Sequence, residues 1–486
     1  MESSSETQLS QRASKPPLFS FRSARLLIAL LLMLGMTGFM AMKGNFGVTV
    51  VCMVNSSASA GSKDTKTDYD GTLLWDSRLQ GIMFSATSIG SLIMLMPAGI
   101  LTDKYSPKLV ALAGIFLASL IAFLHPLVAN NSVYGFVFLR LLTGVTCACA
   151  IPSFAALASR WFVPNERATL SAIYTSGAQI SGVLLGLVTP VLCSWREVNG
   201  WASVYFLCGG IGVLWTVLWL LFSSNYADSN RWISQEERDY IVGIVKLKTG
   251  DEHHSFPWYH AFRSLPFYAI LLARVTFITQ QQVLISYTST FNRDVLKLHL
   301  SHNGLCTALP HLADLVSKFL FSLFADFLKQ KNVTTPGVSV RIFQAGCNFG
   351  CGACFLGLAF LASSDRMVLS LVIQGLYGVF ASLSCPGVYT SAMSIAPSYT
   401  GTLQSFTMLI AFSSSSGVIY LAGLVLYQDG SSAWTILFCS LAGINVFTGI
   451  FFAMFGSASV QAWAKPKGKA GNQEKCIRLS DVAKVE

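Results

Sequence analysis

Four basic side chains interrupt long apolar stretches of this chain: Lys43, Arg140, Arg274 and Lys318. Asp314 is the clearest acid among them. An ionisable group inside a membrane-length apolar segment is costly to keep there, so each is a functional candidate by default. Lys43 and Arg140 have no acid within four residues on their own segments. If both face one cavity they form a positive site for a carboxylate or phosphate. Arg140 offers a planar fork that can hold an anion through two bonds, and Lys43 a point charge. Snorkelling of both to the outer interface is the structural alternative. Arg140 lies seven residues from the outer end of its segment, roughly 10 Å deep. Arg274 either joins the same cavity or pairs with an acid the sequence does not identify. Asp314 and Lys318, spaced i, i+4, can neutralise each other on one helix face. His311, one turn before Asp314, could relay protons, although a satisfied buried histidine is the plainer reading. Asn45, Tyr174, Gln179, Gln280, Gln281 and Gln282 are polar candidates for completing a path, or glue between helices.

The elements that must carry these residues follow from composition. The chain has 486 residues, 53% hydrophobic and 12% charged, with a mean hydropathy of +0.55. A soluble domain carries about 25% charged residues, so too little polar surface exists to coat a water-soluble body. A bilayer-crossing helix needs about 20 apolar residues, and lipid leaves the backbone no other partner than itself. Twelve apolar runs meet that need, six within 26–223 and six within 266–456. A polar tail at 1–25, a hydrophilic segment at 224–265 and a basic tail at 457–486 flank them. The expected fold is an all-α membrane protein with twelve transmembrane helices in two six-helix bundles. A cleavable signal peptide is not expected, because the first 25 residues are polar and the apolar run after them is too long for one.

If the N-terminus is cytoplasmic, the cytoplasmic segments hold 22 Lys and Arg and the opposite side 7, with four inside the runs. That asymmetry places both termini and the central segment in the cytoplasm. The net charge of +10 is thereby explained by topology and does not call for nucleic acid. Asn55 opens a glycosylation sequon in the first outer loop, whereas the sequon at Asn332 falls on the cytoplasmic side. Ser234 and Glu237 have capping-box spacing ahead of Ile241, Val242, Ile244 and Val245, which predicts a short amphipathic helix against the cytoplasmic side of the bundles. The cysteines inside runs (Cys147, Cys149, Cys347, Cys351, Cys354) read as small buried hydrophobes. No zinc spacing, HExxH or pair of membrane-embedded acids suggests a metal or an enzyme.

One signature occurs twice. Gly99 stands four residues before Asp103, which Lys104 and Lys108 follow; Ser322 stands four before Asp326, which Lys329 and Lys331 follow. Both copies lie in the second loop of their half, as parallel-repeat transporters arrange them. The small residue permits close helix approach, and the acid can accept hydrogen bonds from a neighbouring helix start. Such a latch, built on Gly99, Asp103, Lys104 and Asp326, would hold one conformation and open in the other, one set forming as the other breaks.

From about Lys43 to Lys465 the chain resembles the major facilitator superfamily, and within it the anion–cation symporter family. The resemblance is carried by Trp75, Asp76, Gln80 and Gly81, by Gly99 to Lys104, and by Trp161, Pro164, Glu166 and Arg167. Gly200-Trp201, Gly209-Gly210, Ser264-Leu265-Pro266, Ala308-Leu309-Pro310, Ala325-Asp326, Ile395-Ala396-Pro397 and Gln461 to Lys465 extend it. The end of the chain is most similar to the sodium/phosphate (organic anion) subgroup. This resemblance implies a twelve-helix fold, alternating access and an anionic substrate held at Arg140. Lys43 stands where many members have arginine. Three departures matter: Cys147 replaces an acid seven residues after Arg140, Phe84 replaces a histidine, and Phe277 falls where the glutamate transporters have arginine.

The expected function is secondary active or voltage-driven transport of a small organic anion, bound by Arg140, Lys43, Arg274 and Asn45. Sodium-dependent phosphate cotransport and proton-coupled sialic acid or acidic sugar transport are the alternatives. A non-transporting receptor or scaffold on the same fold is the reading from another class, and no enzymatic activity is expected. No cofactor is called for; sodium, proton or chloride could be the coupling ion, with His311 and Asp314 the residues for coupling. The expected form is a glycosylated monomer in the plasma membrane or a lysosomal or vesicular membrane.

Overall fold

The computed structural model describes residues 16–20, 23–54, 73, 75, 77–193, 200–245, 256–296, 300–428 and 431–464. Among them the apolar runs form twelve long helices. The first six are α1 (Ala24–Met53), α2 (Ser77–Lys104), α3 (Pro107–Ala129), α4 (Val133–Trp161), α5 (Arg167–Cys193) and α6 (Gly200–Phe222). The second six are α7 (Leu265–Asp294), α8 (Leu300–Gln330), α9 (Pro336–Leu361), α10 (Ser364–Ile395), α11 (Thr400–Gln428) and α12 (Ser431–Phe455). Ten are long and apolar enough to cross a membrane. The more polar helix is α8, which carries His311, Asp314 and Lys318.

Local chemistry sets where helices start. The hydroxyls of Ser23, Ser106, Ser132 and Thr335 each accept an amide of the following turn, starting α1, α3, α4 and α9. Pro107 and Pro336 occupy first-turn positions, where a missing N–H is no loss. Periodicity alone predicts unbroken runs, but α4, α5 and α10 are interrupted. A turn at Ala148 and Cys149 divides α4, and Ser176 divides α5. In α10 a wide turn over Cys385–Tyr389 leaves a ladder amide without its usual partner, and the Gln344 side chain of α9 accepts the Val388 N–H at 2.9 Å instead.

The two halves pack alike. In the first half α1 lies on α5, α2 on α4 and α3 on α6; in the second α7 lies on α11, α8 on α10 and α9 on α12. Glycine permits the equivalent contacts: a Cβ at Gly144 of α4 would strike the Thr87 carbonyl of α2, and one at Gly378 of α10 the Pro310 carbonyl of α8. Across the halves α2 meets α11 and α5 meets α8, again equivalent pairs. The fold is therefore all-α, two six-helix bundles related by an internal repeat.

A loop helix (Gln235–Val245) follows the first bundle, as the Ser234 spacing predicts. Only half of the expected capping box forms: the Glu237 N–H donates to Ser234 Oγ at 3.3 Å, but the Glu237 carboxylate turns away. It instead accepts the Ala24 N–H at 2.8 Å, the Arg25 Nε–H at 2.7 Å and the Ser23 hydroxyl at 3.0 Å, capping α1. A buried Arg25 with two carboxylate partners, Glu237 and Glu166, outcompetes the helix's own amide for that side chain.

Candidate functional site

Arg140 and Asn45 are buried between α4 and α1. Arg140 Nη1 donates to Asn45 Oδ1 at 3.3 Å, Nη2 donates to the Lys43 carbonyl at 3.2 Å, and the guanidinium lies 5.0 Å from the centre of the Phe46 ring. Three positions of α1, Lys43, Asn45 and Phe46, thus fix one arginine. Among the described residues its Nε–H has no acceptor. The Lys43 ammonium points the other way, across to the second bundle, 5.4 Å from the centre of the Phe412 ring in α11. Among the described residues neither cation pairs with a carboxylate. Burying positive charge without a counter-charge is expensive, so the arrangement is suited to receive an anion.

Cys147, the residue where an acid could stand, lies beside both cations and donates its thiol to the Phe39 carbonyl at 3.8 Å. Phe84 packs against Phe46 in a tilted arrangement, with ring centres 4.8 Å apart, and so supports the floor beneath Arg140. His125 of α3 was not singled out in the sequence. It sits between Phe136 and Tyr205, with Nδ1 bonded to the Ile121 carbonyl at 2.8 Å and Nε2 buried without a partner near Arg140. A carbonyl can only accept, so Nδ1 carries the proton and Nε2 is a lone-pair acceptor. Nothing in the spacing around His125 signals this, because its neighbours come from two other helices, α4 and α6.

Arg274 does not join Arg140. It is buried in the second bundle, donating through Nη2 to Gln404 of α11 at 2.8 Å and stacking on Tyr389 of α10 at 3.8 Å from the ring centre. Among the described residues its Nε and Nη1 are unpartnered. Gln404 precedes Phe412 by eight residues on α11, roughly 12 Å along a helix, so Arg274 lies about two turns from the level that Lys43 reaches. Phe277 touches the same Tyr389, with ring centres 6.1 Å apart.

At the end of the bundles where α2 and α8 stop, both repeated aspartates reach into the opposite half. Asp103 accepts the N–H groups of Gly401 and Thr402, at 2.9 and 2.6 Å, from the first turn of α11. Asp326 accepts those of Ala168 and Thr169, at 3.4 and 2.6 Å, from the first turn of α5, and pairs with Lys329 at 2.6 Å. The expectation that one set forms as the other breaks is not met, since both are closed together: the two links lie at one end and join the same two bodies. Lys104 is exposed and outside the latch; its ammonium rests over Tyr105, and Arg160 of α4 is the cation near Asp103. Gly99 packs against α11, where a Cβ would strike Ser405. Arg167 to Ser394, Ser159 to the Pro397 carbonyl and Gln330 to the Asn165 carbonyl join the bundles at the same end.

Asp314 is buried and pairs with Lys318 at 3.8 Å, the i, i+4 contact read from the spacing. The same oxygen, Oδ2, accepts Gln179 Nε2 of α5 at 3.0 Å, a contact between bundles. Gln280 accepts from Asn445 at 2.9 Å, inside the second bundle. Cys147, Cys149, Cys347, Cys351 and Cys354 are free and buried, whereas Cys52 and Cys193 form a disulfide between the ends of α1 and α5 that the reading of cysteines as hydrophobes does not foresee. Asn55 lies outside the described residues. Among the described residues no group of His, Cys, Asp and Glu is arranged to hold a metal.

The Major Facilitator Superfamily description matches residues 26–419. Sialin of Ovis aries is 28% identical over 484 residues, covering 95% of this chain and 95% of that one. Sodium-dependent phosphate transport protein 1 of Homo sapiens is 28% identical over 435 residues, covering 88% of this chain and 92% of that one. Among solved structures, the transporter FucP in its outward conformation superposes with a TM-score of 0.63 at 14% identity, covering 88% of this chain and 99% of that one, which shows a shared fold.

Proposed function

Because the chain belongs to the Major Facilitator Superfamily, and is a membrane transporter of small solutes by that membership, we propose that its solute is an organic anion held by Arg140 and Lys43. The observation that carries this is a buried arginine and a neighbouring lysine with no carboxylate partner among the described residues. Arg140 is fixed by α1 before any ligand arrives, so little ordering is lost on binding. Lys43 reaches the other bundle, so an anion bound there touches both moving bodies. His125 Nε2, a lone-pair acceptor, suits a hydroxyl or a protonated group on the same molecule.

The proposed mechanism is alternating access by rocking of the two bundles. The closed end is the cytoplasmic one, and the conformation faces outward. Two features support that orientation: the Lys and Arg bias, and the Cys52–Cys193 disulfide at the opposite end, because disulfides persist in oxidising compartments. Rocking opens the Asp103 and Asp326 latches and exposes the level of Arg274, whose unpaired donors then offer the anion a second, inner station.

The test is uptake by purified protein in liposomes of labelled phosphate, urate and sialic acid, with membrane potential, sodium gradient and proton gradient imposed separately. Saturable uptake of an organic anion, competed by other anions and driven by inside-positive potential, supports the reading. Flux of neutral or cationic solutes alone would remove the anion assignment, and no flux at all would point to a receptor on a transporter fold.

A further inference from the structure

A small cavity opens between α7, α8 and α10, lined by Gln281, Thr288, His311, Asp314 and Tyr377. It lies in the second bundle, apart from the Arg140 site. Two of its lining groups are deeply buried and incomplete. Asp314 is 4% exposed and its Oδ1 has no hydrogen bond among the described residues; Tyr377 is 4% exposed and its hydroxyl has none there either. Buried polar atoms are almost always satisfied, so two orphans on one cavity mark a missing third party between them. Had Tyr377 donated directly to Asp314, neither would be orphaned.

The charge state narrows what that party is. Lys318 stands 3.8 Å from Oδ2, beyond ordinary hydrogen-bond length, and leaves Oδ1 untouched. Apart from the His311 imidazole, the other polar groups on the wall can present oxygen: a phenol, a threonine hydroxyl and an amide carbonyl. Hard oxygen ligands around an incompletely neutralised carboxylate suit a hard, small cation better than an anion or a soft metal.

We propose that this cavity is a monovalent-cation site, in which Asp314 Oδ1 and the Tyr377 hydroxyl oxygen bind sodium or hydronium and Thr288 and Gln281 complete the shell. The site is wired to the conformational change. The other oxygen of the same carboxylate accepts Gln179 of α5 at 3.0 Å, across the bundle interface. A cation on Oδ1 holds the carboxylate charged and in place, which favours the Gln179 contact. By reciprocity, a conformation that breaks this contact changes cation affinity. The titratable groups that surround Asp314 are His311 and Lys318 on its own helix, Tyr377 and Cys385 on α10 and Cys351 on α9.

The test uses the purified full-length protein and reads thermal stability, which requires no transport and stands apart from the anion assignment. Sodium chloride replaces choline chloride at constant ionic strength, at a neutral and a mildly acidic pH. Saturable stabilisation by sodium, unmatched by potassium and present at neutral pH, identifies sodium. Stabilisation by acidification alone in sodium-free buffer identifies hydronium. In either case Asp314→Asn abolishes the response. Tyr377→Phe keeps the ring that fills the space, so it folds, and raises the half-saturating concentration about tenfold, as loss of one ligand worth about 1.4 kcal/mol does. No response of the wild-type protein to either ion, or an unchanged response in both variants, overturns the proposal and leaves a water-filled cavity.

Discussion

Asp103 and Asp326 stand at the ends of α2 and α8, and each accepts two backbone amides from the first turn of a helix in the other bundle. The carboxylate meets the positive end of a helix, where four amides lack internal partners. Two such caps placed symmetrically make one closed end. Charge-assisted bonds of this kind are worth about 1.5–3 kcal/mol each in favourable settings, so they are able to set the balance between two conformations.

Asp326→Ala is therefore expected to shift the population toward the form open at this end by roughly 10- to 100-fold. Cys385 provides a native reporter: it is buried under this latch, with its thiol 3.9 Å from the Ala168 carbonyl. Alkylation of Cys385 by a small maleimide should accelerate by a similar factor in the variant. An unchanged rate would mean that Arg167 and its neighbours hold the end closed without the aspartates.

Arg140 makes two bonds to α1 that lysine cannot reproduce, one to Asn45 and one to the Lys43 carbonyl. Arg140→Ala is expected to abolish uptake in liposomes with the melting temperature little changed. Arg140→Lys keeps the charge but not the fork and should lose about 10- to 100-fold in kcat/KM. Full uptake by Arg140→Ala would remove the central charge from the mechanism.

What was legible in the sequence follows from which signals are local. Twelve apolar runs dictate twelve helices because lipid offers the backbone no alternative, and the repeat of Asp103 and Asp326 is a spacing that any reader can see. Arg140 and Lys43 stand out for the same reason, as charges where apolar residues belong. Partners are not local. His125, Gln404, Tyr389 and Phe412 reach the cations only through helix packing. Arg274 looks equivalent to Arg140 in one dimension yet lies about two helical turns away from the level of Lys43 in three. The breaks in α4, α5 and α10 were equally silent: in α10 the repair comes from Gln344 on another helix. The capping-box spacing points the Glu237 carboxylate at the Ser234 amide, whereas it serves the start of α1.

The two sequons, at Asn55 and Asn332, form a built-in topology reporter. Asn332 follows α8 at the closed end, in a turn with φ of 54°. If that end is cytoplasmic, glycosidase digestion should sharpen and shift the band of the wild-type protein, and Asn55→Gln should abolish the shift while Asn332→Gln leaves it. A shift abolished by Asn332→Gln instead would place the closed end outside and turn the conformation from outward-facing to inward-facing.

Arg25 is fully buried between Glu237 of the loop helix and Glu166 ahead of α5, so three charges share one water-poor site. The consequences of removing each are unequal. Glu237→Gln leaves Arg25 paired with Glu166 and keeps an oxygen to cap α1. Arg25→Met removes the cation that Glu237 and Glu166 share, a loss of about 3–5 kcal/mol by the general cost of breaking a buried pair. Thermal unfolding of the purified variants should therefore rank wild type above Glu237→Gln and Glu237→Gln above Arg25→Met. The reverse ranking would mean that the cap on α1, rather than the neutralised charge, holds the loop helix to the first bundle.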